Sequence, residues 1–296
     1  MSIVEVSSQF LEQKIDSHFK KSLSPLIIGI SGPQGSGKSY LSLNLSEELS
    51  RKFPDLTTVA ISIDDFYITY EKQLGLALEY PDNELISGRG LPGTHDLDLL
   101  REILFKIRKR EKNVIIPRYN KAAFSGKGDR FPEDQWSYLG DKEIDIVILE
   151  GWFLGFRSIK DKDQLMEIWN HISLAAKQKY NNIKVENINF LNEKLSQYEK
   201  VWDFFDYFIY ITTNDINNVY TWRIDQEHNL KLKTNGDVMS DEEVIKFVDR
   251  YMPAYELYYN NLEQNGCVES GETDELKKNL KIGIDIDRKI VDIQNL

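Results

Sequence analysis

The chain is poor in cysteine and in basic residues relative to acidic ones. Cys267 is the only cysteine among the 296 residues, so an internal disulfide is excluded and the composition fits a reducing compartment. The formal net charge is −11, from 37 basic and 48 acidic side chains. This acidic excess disfavours a nucleic-acid-binding protein, because such proteins gain most of their affinity by neutralising phosphates with a basic surplus.

Long apolar runs are also lacking. The most apolar segment, Ile144 to Leu149, has the length of a strand, whereas a membrane helix needs about 20 apolar residues. The first 24 residues mix charged and apolar side chains at helical spacing and contain no run typical of a signal peptide. We therefore expect a cytoplasmic protein without a membrane or nucleic-acid partner, and the sequence names no protein partner.

Short apolar runs alternate with amphipathic helical patterns along the chain. This alternation predicts an α/β fold with a doubly wound, mostly parallel sheet flanked by helices. Strands are expected at about 26–30, 59–63, 114–116, 144–149 and 207–211, with a late edge strand at 280–286. Helices are expected at about 10–23, 41–53, 96–110, 189–202, 216–231 and 240–263.

A glycine-rich turn between the first strand and its helix fits the pattern G-x-x-x-x-G-K-[ST]. With a strand before it and a helix after it, the pattern predicts a P-loop whose backbone N–H groups bind the phosphates of a nucleotide. Lys38 would reach the β- and γ-phosphates, and the Ser39 hydroxyl would bind Mg²⁺. The alternative is a glycine-rich turn without a ligand. The nucleotide-binding residues are Gly32, Pro33, Gln34, Gly35, Ser36, Gly37, Lys38 and Ser39.

Acidic residues follow two of the predicted strands. Glu150 ends the strand at 144–149 and would orient Mg²⁺, directly or through a water. Asp64 and Asp65 follow the strand at 59–63, where a carboxylate could accept the proton of an attacking hydroxyl. The pattern favours Asp64 without excluding Asp65, and either acid could instead cap a helix or turn. Ser39, Asp64 and Glu150 form the expected metal set, and Asp64, Lys38 and Glu150 the expected catalytic set.

Two loops concentrate cations with glycine and proline: the first cation loop, 88–96, and the second cation loop, 117–130. Guanidinium groups bind carboxylates and phosphates in a bidentate fashion, so the two loops together indicate a site for an anionic acceptor. Each cation taken alone could equally be a surface charge, and His95 could be a structural hydrogen-bonding group. The candidate acceptor-binding residues are Arg89, His95, Arg118, Lys121 and Arg130.

Arg223 lies in a predicted helix and could close over the ATP phosphates as part of a helical lid. The alternative is a surface pair with Glu227, four residues further along the helix.

Several motifs together resemble one family. The sequence resembles the D-glycerate 3-kinase-like branch of P-loop kinases, with more distant similarity to uridine kinase, phosphoribulokinase and pantothenate kinase. One departure is Asn120, where the glycerate kinases usually carry aspartate. The resembling segments are 31–39, 62–67, 88–96, 117–121, 126–130, 149–156, 222–223 and 247–255.

The resemblance implies an ATP-dependent kinase that transfers the γ-phosphate to a hydroxyl of a small polar acceptor, possibly D-glycerate, with ATP and Mg²⁺ as cofactors. A nucleotide-hydrolysing regulator or a binding protein without an acceptor stays open as the alternative. We expect one P-loop kinase domain over 1–296. It would comprise an N-terminal helix (1–24), a P-loop unit (25–54), acceptor-site loops and a helix (84–130), and a lid region (215–235).

Overall fold

A sheet of six strands organises the part of the chain that the computed structural model describes, which is residues 1–176, 179–234, 239–270 and 277–296. Short two-residue strands form two small side sheets. The strands are β1 (Leu26–Ser31), β2 (Thr58–Ser62), β3 (Ile115–Ile116), β4 (Tyr119–Asn120), β5 (Asp129–Arg130), β6 (Ser137–Tyr138), β7 (Ile146–Gly151), β8 (Tyr207–Thr213), β9 (Asn279–Ile284) and β10 (Ile290–Asn295).

The order of the main sheet is β10-β9-β8-β1-β7-β2. The pairings from β2 to β9 are parallel, and β10 pairs antiparallel with β9. Strands β1 and β7 are buried along their whole length, as expected for central strands covered on both faces. The predicted doubly wound, mostly parallel α/β fold is therefore confirmed.

Helices cover the sheet and close the core. Helix α1 begins with a capping box in which the Ser2 side chain accepts from the Glu5 N–H and the Glu5 carboxylate accepts from the Ser2 N–H. The helices are α1 (Ile3–Phe19), α2 (Lys38–Lys52), α3 (Tyr70–Glu79), α4 (Leu97–Arg108), α5 (Lys162–Ala175), α6 (Val185–Trp202), α7 (Asn218–Thr234), α8 (Asp241–Asp249) and α9 (Met252–Asn265). Residue 235, the last of the predicted lid region, lies outside the described residues. Among the described helices, none combines the length and hydrophobicity needed to cross a membrane.

Three predicted elements differ from the structure. The helix predicted at 240–263 is two helices, because Pro253 lies in the first turn of α9 and could not sit inside a continuous helix. The strand predicted at the sheet edge, 280–286, is β9, and β10 covers its outer side. The strand predicted at 114–116 is β3, which pairs with β6 outside the main sheet. Helices α3 and α5 were not predicted.

An acidic side chain ties the start of the central strands together. The Asp206 carboxylate accepts the Ile27 N–H at 2.8 Å and the Arg108 guanidinium at 2.7 Å. Arg108 also donates to the Phe204 carbonyl at 2.7 Å. Asp206, which directly precedes β8, thus connects the start of that strand to β1 and to α4.

We expect Asp206→Ala to lower the free energy of unfolding by about 1–3 kcal/mol, because it leaves the buried Ile27 N–H without its acceptor and removes one acceptor of the Arg108 guanidinium. Urea unfolding would measure the change. Asp98→Ala is the matched control, since the Asp98 side chain is 99% exposed and lies 3.9 Å from Arg101. Equal stability of the two variants would contradict the assignment.

Candidate active site

The P-loop turn runs from the end of β1 to the start of α2 and needs glycine at two positions. Gly35 has a φ of 83° and Gly37 a φ of 95°, in the left-handed region that side chains disfavour. Lys38 is the first residue of α2, so the helix N-terminus adds its positive dipole to the turn. This is the strand-turn-helix context that a phosphate-binding loop requires.

Three other elements hold the P-loop from outside. The Tyr255 hydroxyl of α9 accepts the Gln34 N–H at 3.0 Å. Arg288, in the turn between β9 and β10, donates from Nε to the Gly35 carbonyl at 2.7 Å. Trp222 of α7 packs so closely that a Cβ on Gly35 would lie 2.4 Å from the Trp222 Cβ. The backbone shape of the turn is therefore fixed by tertiary contacts.

A pair of oxygen donors lies beside the P-loop. Glu150 pairs in register between Ile30 of β1 and Ser62 of β2, and its Oε1 accepts from the Ser39 hydroxyl at 3.2 Å. Glu150 is only 8% exposed, and its Oε2 has no hydrogen-bond partner within the described ranges. A buried carboxylate oxygen of this kind, next to a hydroxyl, fits Mg²⁺, which prefers oxygen ligands. Ser39 and Glu150 could hold such an ion.

Asp64 lies in a short 3-10 turn after β2, between two donors. Its Oδ2 accepts from the Lys121 ammonium at 2.5 Å and its Oδ1 from the Tyr67 hydroxyl at 2.8 Å. Burial alone would raise the pKa of Asp64, but Lys121, Lys38 and the Tyr67 hydroxyl outweigh it and hold the pKa at about 2. Because both oxygens already accept from protein donors, the geometry favours Ser39 and Glu150 over Asp64 as metal ligands.

The Asp65 carboxylate contacts different groups from the Asp64 carboxylate. Its carboxylate accepts the Tyr119 N–H at 3.1 Å and lies 3.8 Å from Arg118 Nε. Burial raises the pKa of Asp65 despite these partners. The two neighbouring acids thus face different surroundings, and Asp64 is the one whose charge interacts with Lys38.

Two residues that were predicted to bind the acceptor substrate form hydrogen bonds with other groups of the protein. The Arg89 guanidinium donates to the carbonyls of Lys121, Gly126 and Lys127, so it fastens the second cation loop to the first. The Arg130 guanidinium binds the Asp96 carboxylate at 3.1 Å and the Tyr67 carbonyl at 2.9 Å, and its side chain is 11% exposed. Both arginines therefore help to build the two loops, and their binding of the acceptor stays a prediction.

Lys121 and Arg118 remain accessible on the second cation loop. The Lys121 side chain is 59% exposed and that of Arg118 is 56% exposed. Burial lowers the pKa of Lys121, but the Asp64 and Glu150 carboxylates outweigh it and raise the pKa overall. Lys121 is therefore a charged group within reach of both acids, whereas Arg118 lies near Asp65 and the Ser137 hydroxyl.

His95 is buried next to Asp64 and carries one orphaned nitrogen. The Tyr198 hydroxyl accepts the Gly93 N–H at 2.9 Å and hydrogen-bonds with His95 Nδ1 at 2.8 Å. Nε2 has no partner within the described part of the chain, and the hydrogen-bond role of each ring nitrogen depends on the tautomer. Burial lowers the pKa of His95 to about 3, although the nearby Asp64 opposes the shift. His95 is thus neutral and has one buried ring nitrogen available to a ligand.

Arg223 lies on α7, one residue after the tryptophan that packs on the P-loop. Its Nη2 binds the Glu227 carboxylate at 2.7 Å, and its guanidinium lies 5.3 Å from the centre of the Phe247 ring. Both side chains of the pair are largely buried, at 13% and 9% exposed, so this is not the surface pair considered as the alternative. Glu227 holds the guanidinium on the α8 side of α7.

Sequence reasoning missed several residues that shape the site. Tyr67 follows Asp64 by three residues, and Tyr255 lies in a segment that carried the family resemblance, so the sequence contained a signal for both. Tyr198 and Arg288 lie in ordinary helix and turn patterns. Their contacts arise only when distant segments meet, and no local pattern indicates them.

Comparisons with known proteins support the sequence resemblance. No family model matches the chain. The chain is 39% identical to the probable ATP-dependent kinase TDA10 of Saccharomyces cerevisiae, over 98% of this chain and 95% of that protein. It is 39% identical to the uncharacterized kinase mug58 of Schizosaccharomyces pombe, over 88% of this chain and 91% of that protein.

A solved structure extends the similarity to the fold. The D-glycerate 3-kinase from Cryptococcus neoformans var. grubii superposes with a TM-score of 0.86 and 34% identity, and the match covers 100% of both chains. Sequence and structure agree over nearly the whole length. The chain therefore belongs to the D-glycerate 3-kinase-like family of ATP-dependent P-loop kinases.

Proposed function

We propose that this kinase transfers the γ-phosphate of magnesium-bound ATP to a hydroxyl group of a small anionic acceptor of the D-glycerate type. The observation that carries the proposal is Asp64, an ionised carboxylate held between Lys121 and Tyr67 and interacting with Lys38. A carboxylate in this place can orient a hydroxyl toward the terminal phosphate. The D-glycerate 3-kinase structure, at 34% identity, supports the acceptor class.

The P-loop residues would bind the triphosphate. The backbone amides of the turn and the Lys38 ammonium would surround the β- and γ-phosphates, and Ser39 with Glu150 would hold Mg²⁺. When bound, Mg²⁺ would neutralise part of the charge on the phosphates. Arg223, on the helix that packs against Gly35, would approach the phosphates if its pair with Glu227 opened.

The transfer itself would need little covalent work from the protein. The acceptor oxygen attacks the γ-phosphorus, the bond to the β,γ-bridging oxygen breaks, and the hydroxyl proton passes to Asp64. A carboxylate with a pKa of about 2 is a weak base, which suits a loose transition state in which positioning and charge stabilisation dominate. Lys121, close to both Asp64 and Glu150, would stabilise the charge that develops between the two substrates.

The acceptor would lie between the two cation loops. His95 Nε2 offers a buried, neutral hydrogen-bonding atom, and Lys121 and Arg118 offer cations for a carboxylate. Arg89 and Arg130 belong to the same two loops and also bind loop carbonyls and Asp96. The Asn120 side chain accepts the Ala122 N–H. Because asparagine is neutral, this departure from the usual aspartate removes one negative charge from the loop.

The acceptor can be identified by measuring ADP release with MgATP against hydroxy acids, sugars, nucleosides and vitamins. We expect D-glycerate or a similar small hydroxy acid to stimulate ADP release, with Lys38→Ala as the inactive control. If every acceptor left the rate unchanged, the kinase proposal would give way to a nucleotide-hydrolysing regulator.

Replacing the two neighbouring acids one at a time distinguishes their roles. Asp64→Asn should lower kcat roughly a hundredfold or more, because the acceptor hydroxyl loses its base and orienting charge. Asp65→Asn is isosteric in the same way and should cost far less, since Asp65 faces Tyr119 and Arg118. Steady-state kinetics with the acceptor identified above would decide, and a larger loss in Asp65→Asn would reverse the assignment.

The pH dependence of kcat tests the Asp64–Lys121 pair. The pKa of Asp64 is lowered to about 2. The side chain is therefore ionised above that pH, and it becomes protonated and loses its charge as the pH falls through that value. Burial raises the pKa of Asp64, and Lys121 is one of the groups that lower it. Lys121→Met should therefore raise this pKa and move the acid limb of the profile to higher pH. Arg118→Met removes a cation beside Asp65 and should leave the limb in place. An unshifted limb in Lys121→Met would refute the pairing.

A further inference from the structure

Helix α9 presents a row of tyrosine hydroxyls to the backbone of the active site. Tyr251, which caps the helix, Tyr255 and Tyr259 are spaced four residues apart and so lie on one face. The Tyr251 hydroxyl donates to the Arg89 carbonyl at 3.1 Å, and the Tyr255 hydroxyl accepts the Gln34 N–H at 3.0 Å. One helix therefore contacts both the first cation loop and the P-loop.

The contact with the first cation loop is close and reinforced. A Cβ on Gly90 would lie 2.0 Å from the Tyr251 hydroxyl, so only glycine allows this approach. The Trp152 indole donates to the Gly90 carbonyl at 3.0 Å, and its ring packs 5.3 Å from that of Tyr251 and 4.9 Å from that of Tyr255. Arg250 adds a hydrogen bond of 2.7 Å to the Arg89 carbonyl.

The same path continues to the proposed base. The Arg89 side chain donates to the Lys121 carbonyl at 3.3 Å, and the Lys121 ammonium binds Asp64. The position of the Asp64–Lys121 pair relative to the P-loop is thus set partly by the sheet and partly by α9. Tyr251 and Tyr255 are 3% and 1% exposed, so water does not compete for these hydrogen bonds.

We propose that α9 is a strut that fixes the distance and orientation between the first cation loop and the P-loop, with Tyr251 and Tyr255 as positioning residues for phosphoryl transfer. The inference rests on the proposed function, because it concerns the alignment of acceptor and ATP. An α-helix is stiff and one turn rises about 5.4 Å, so the two hydroxyls are held at a set spacing. In-line transfer is sensitive to such spacing, since misplacement by about 1 Å can cost a hundredfold in rate.

The strut predicts a distinctive kinetic pattern. Tyr251→Phe and Tyr255→Phe each keep the ring and remove one hydroxyl, so each should lower kcat about tenfold while the separate affinities for MgATP and acceptor change less than about threefold. The double variant should be at most about twofold slower than the slower single variant, because weakening the contact at either end already loosens the strut. Independent local effects would instead multiply to about a hundredfold.

Tyr258→Phe is the control on the same helix. The Tyr258 hydroxyl, on a residue 1% exposed, binds Asn192 at 3.2 Å, away from both loops. It should lower the thermal unfolding midpoint about as much as the other two variants and leave kcat unchanged. A loss of kcat in Tyr258→Phe equal to that of the other variants, or multiplicative effects in the double variant, would overturn the strut.

The outcome can be separated from that of the proposed function. Basal ADP release from MgATP, with water in place of the acceptor hydroxyl, also depends on Asp64 lying correctly relative to the P-loop. If no acceptor stimulates the wild-type protein, the acceptor proposal fails, and the same four variants measured on basal release still support the strut by non-multiplicative losses or refute it by multiplicative ones.

Discussion

Parallel pairing of β2, β7 and β1 is the constraint on which the site depends. The three strands are in register, so Ser62, Glu150 and Ile30 lie side by side and the chain segments that follow them emerge at one edge of the sheet. Because β1 and β7 are buried throughout, polar chemistry can begin only where the strands end. The P-loop, the 3-10 turn with Asp64, and Glu150 therefore meet without any of them being close in sequence.

Bringing these segments together places negative charges close to one another, and nearby cations offset their repulsion. Two acids, Asp64 and Glu150, lie at an edge that is also proposed to receive a triphosphate, in a chain with a net charge of −11. Lys38 and Lys121 provide the opposing charge, and the depressed pKa of Asp64 and the raised pKa of Lys121 are two consequences of the same interaction. A local cluster of cations thus acts within an acidic protein, so net charge alone says little about which anions bind at this edge.

The sequence predicted the strands, the helices and the P-loop better than it predicted the contacts of individual side chains. The P-loop and the acids after two strands could be placed because each follows from a local pattern: glycines, a buried apolar run and the residue at its end. The division of α8 from α9 was also readable in principle from Pro253, whereas β10 was missed because a half-exposed edge strand has weak hydrophobic patterning. The local pattern could not separate the surroundings of Asp64 and Asp65, since only the folded chain shows which carboxylate contacts Lys121.

Arg89 and Arg130 show why a count of cations does not by itself define an acceptor site. Loops rich in glycine and proline leave backbone carbonyls without secondary-structure partners, and a guanidinium with five N–H donors can satisfy several at once. Arg89 does this for the second cation loop, and Arg130 does it for the turn that carries Asp64. An arginine in such a loop is therefore needed to build the site before any ligand arrives. Selectivity for the acceptor should then also depend on the unpartnered Nε2 of the neutral His95, whose Nδ1 hydrogen-bonds with Tyr198 of α6.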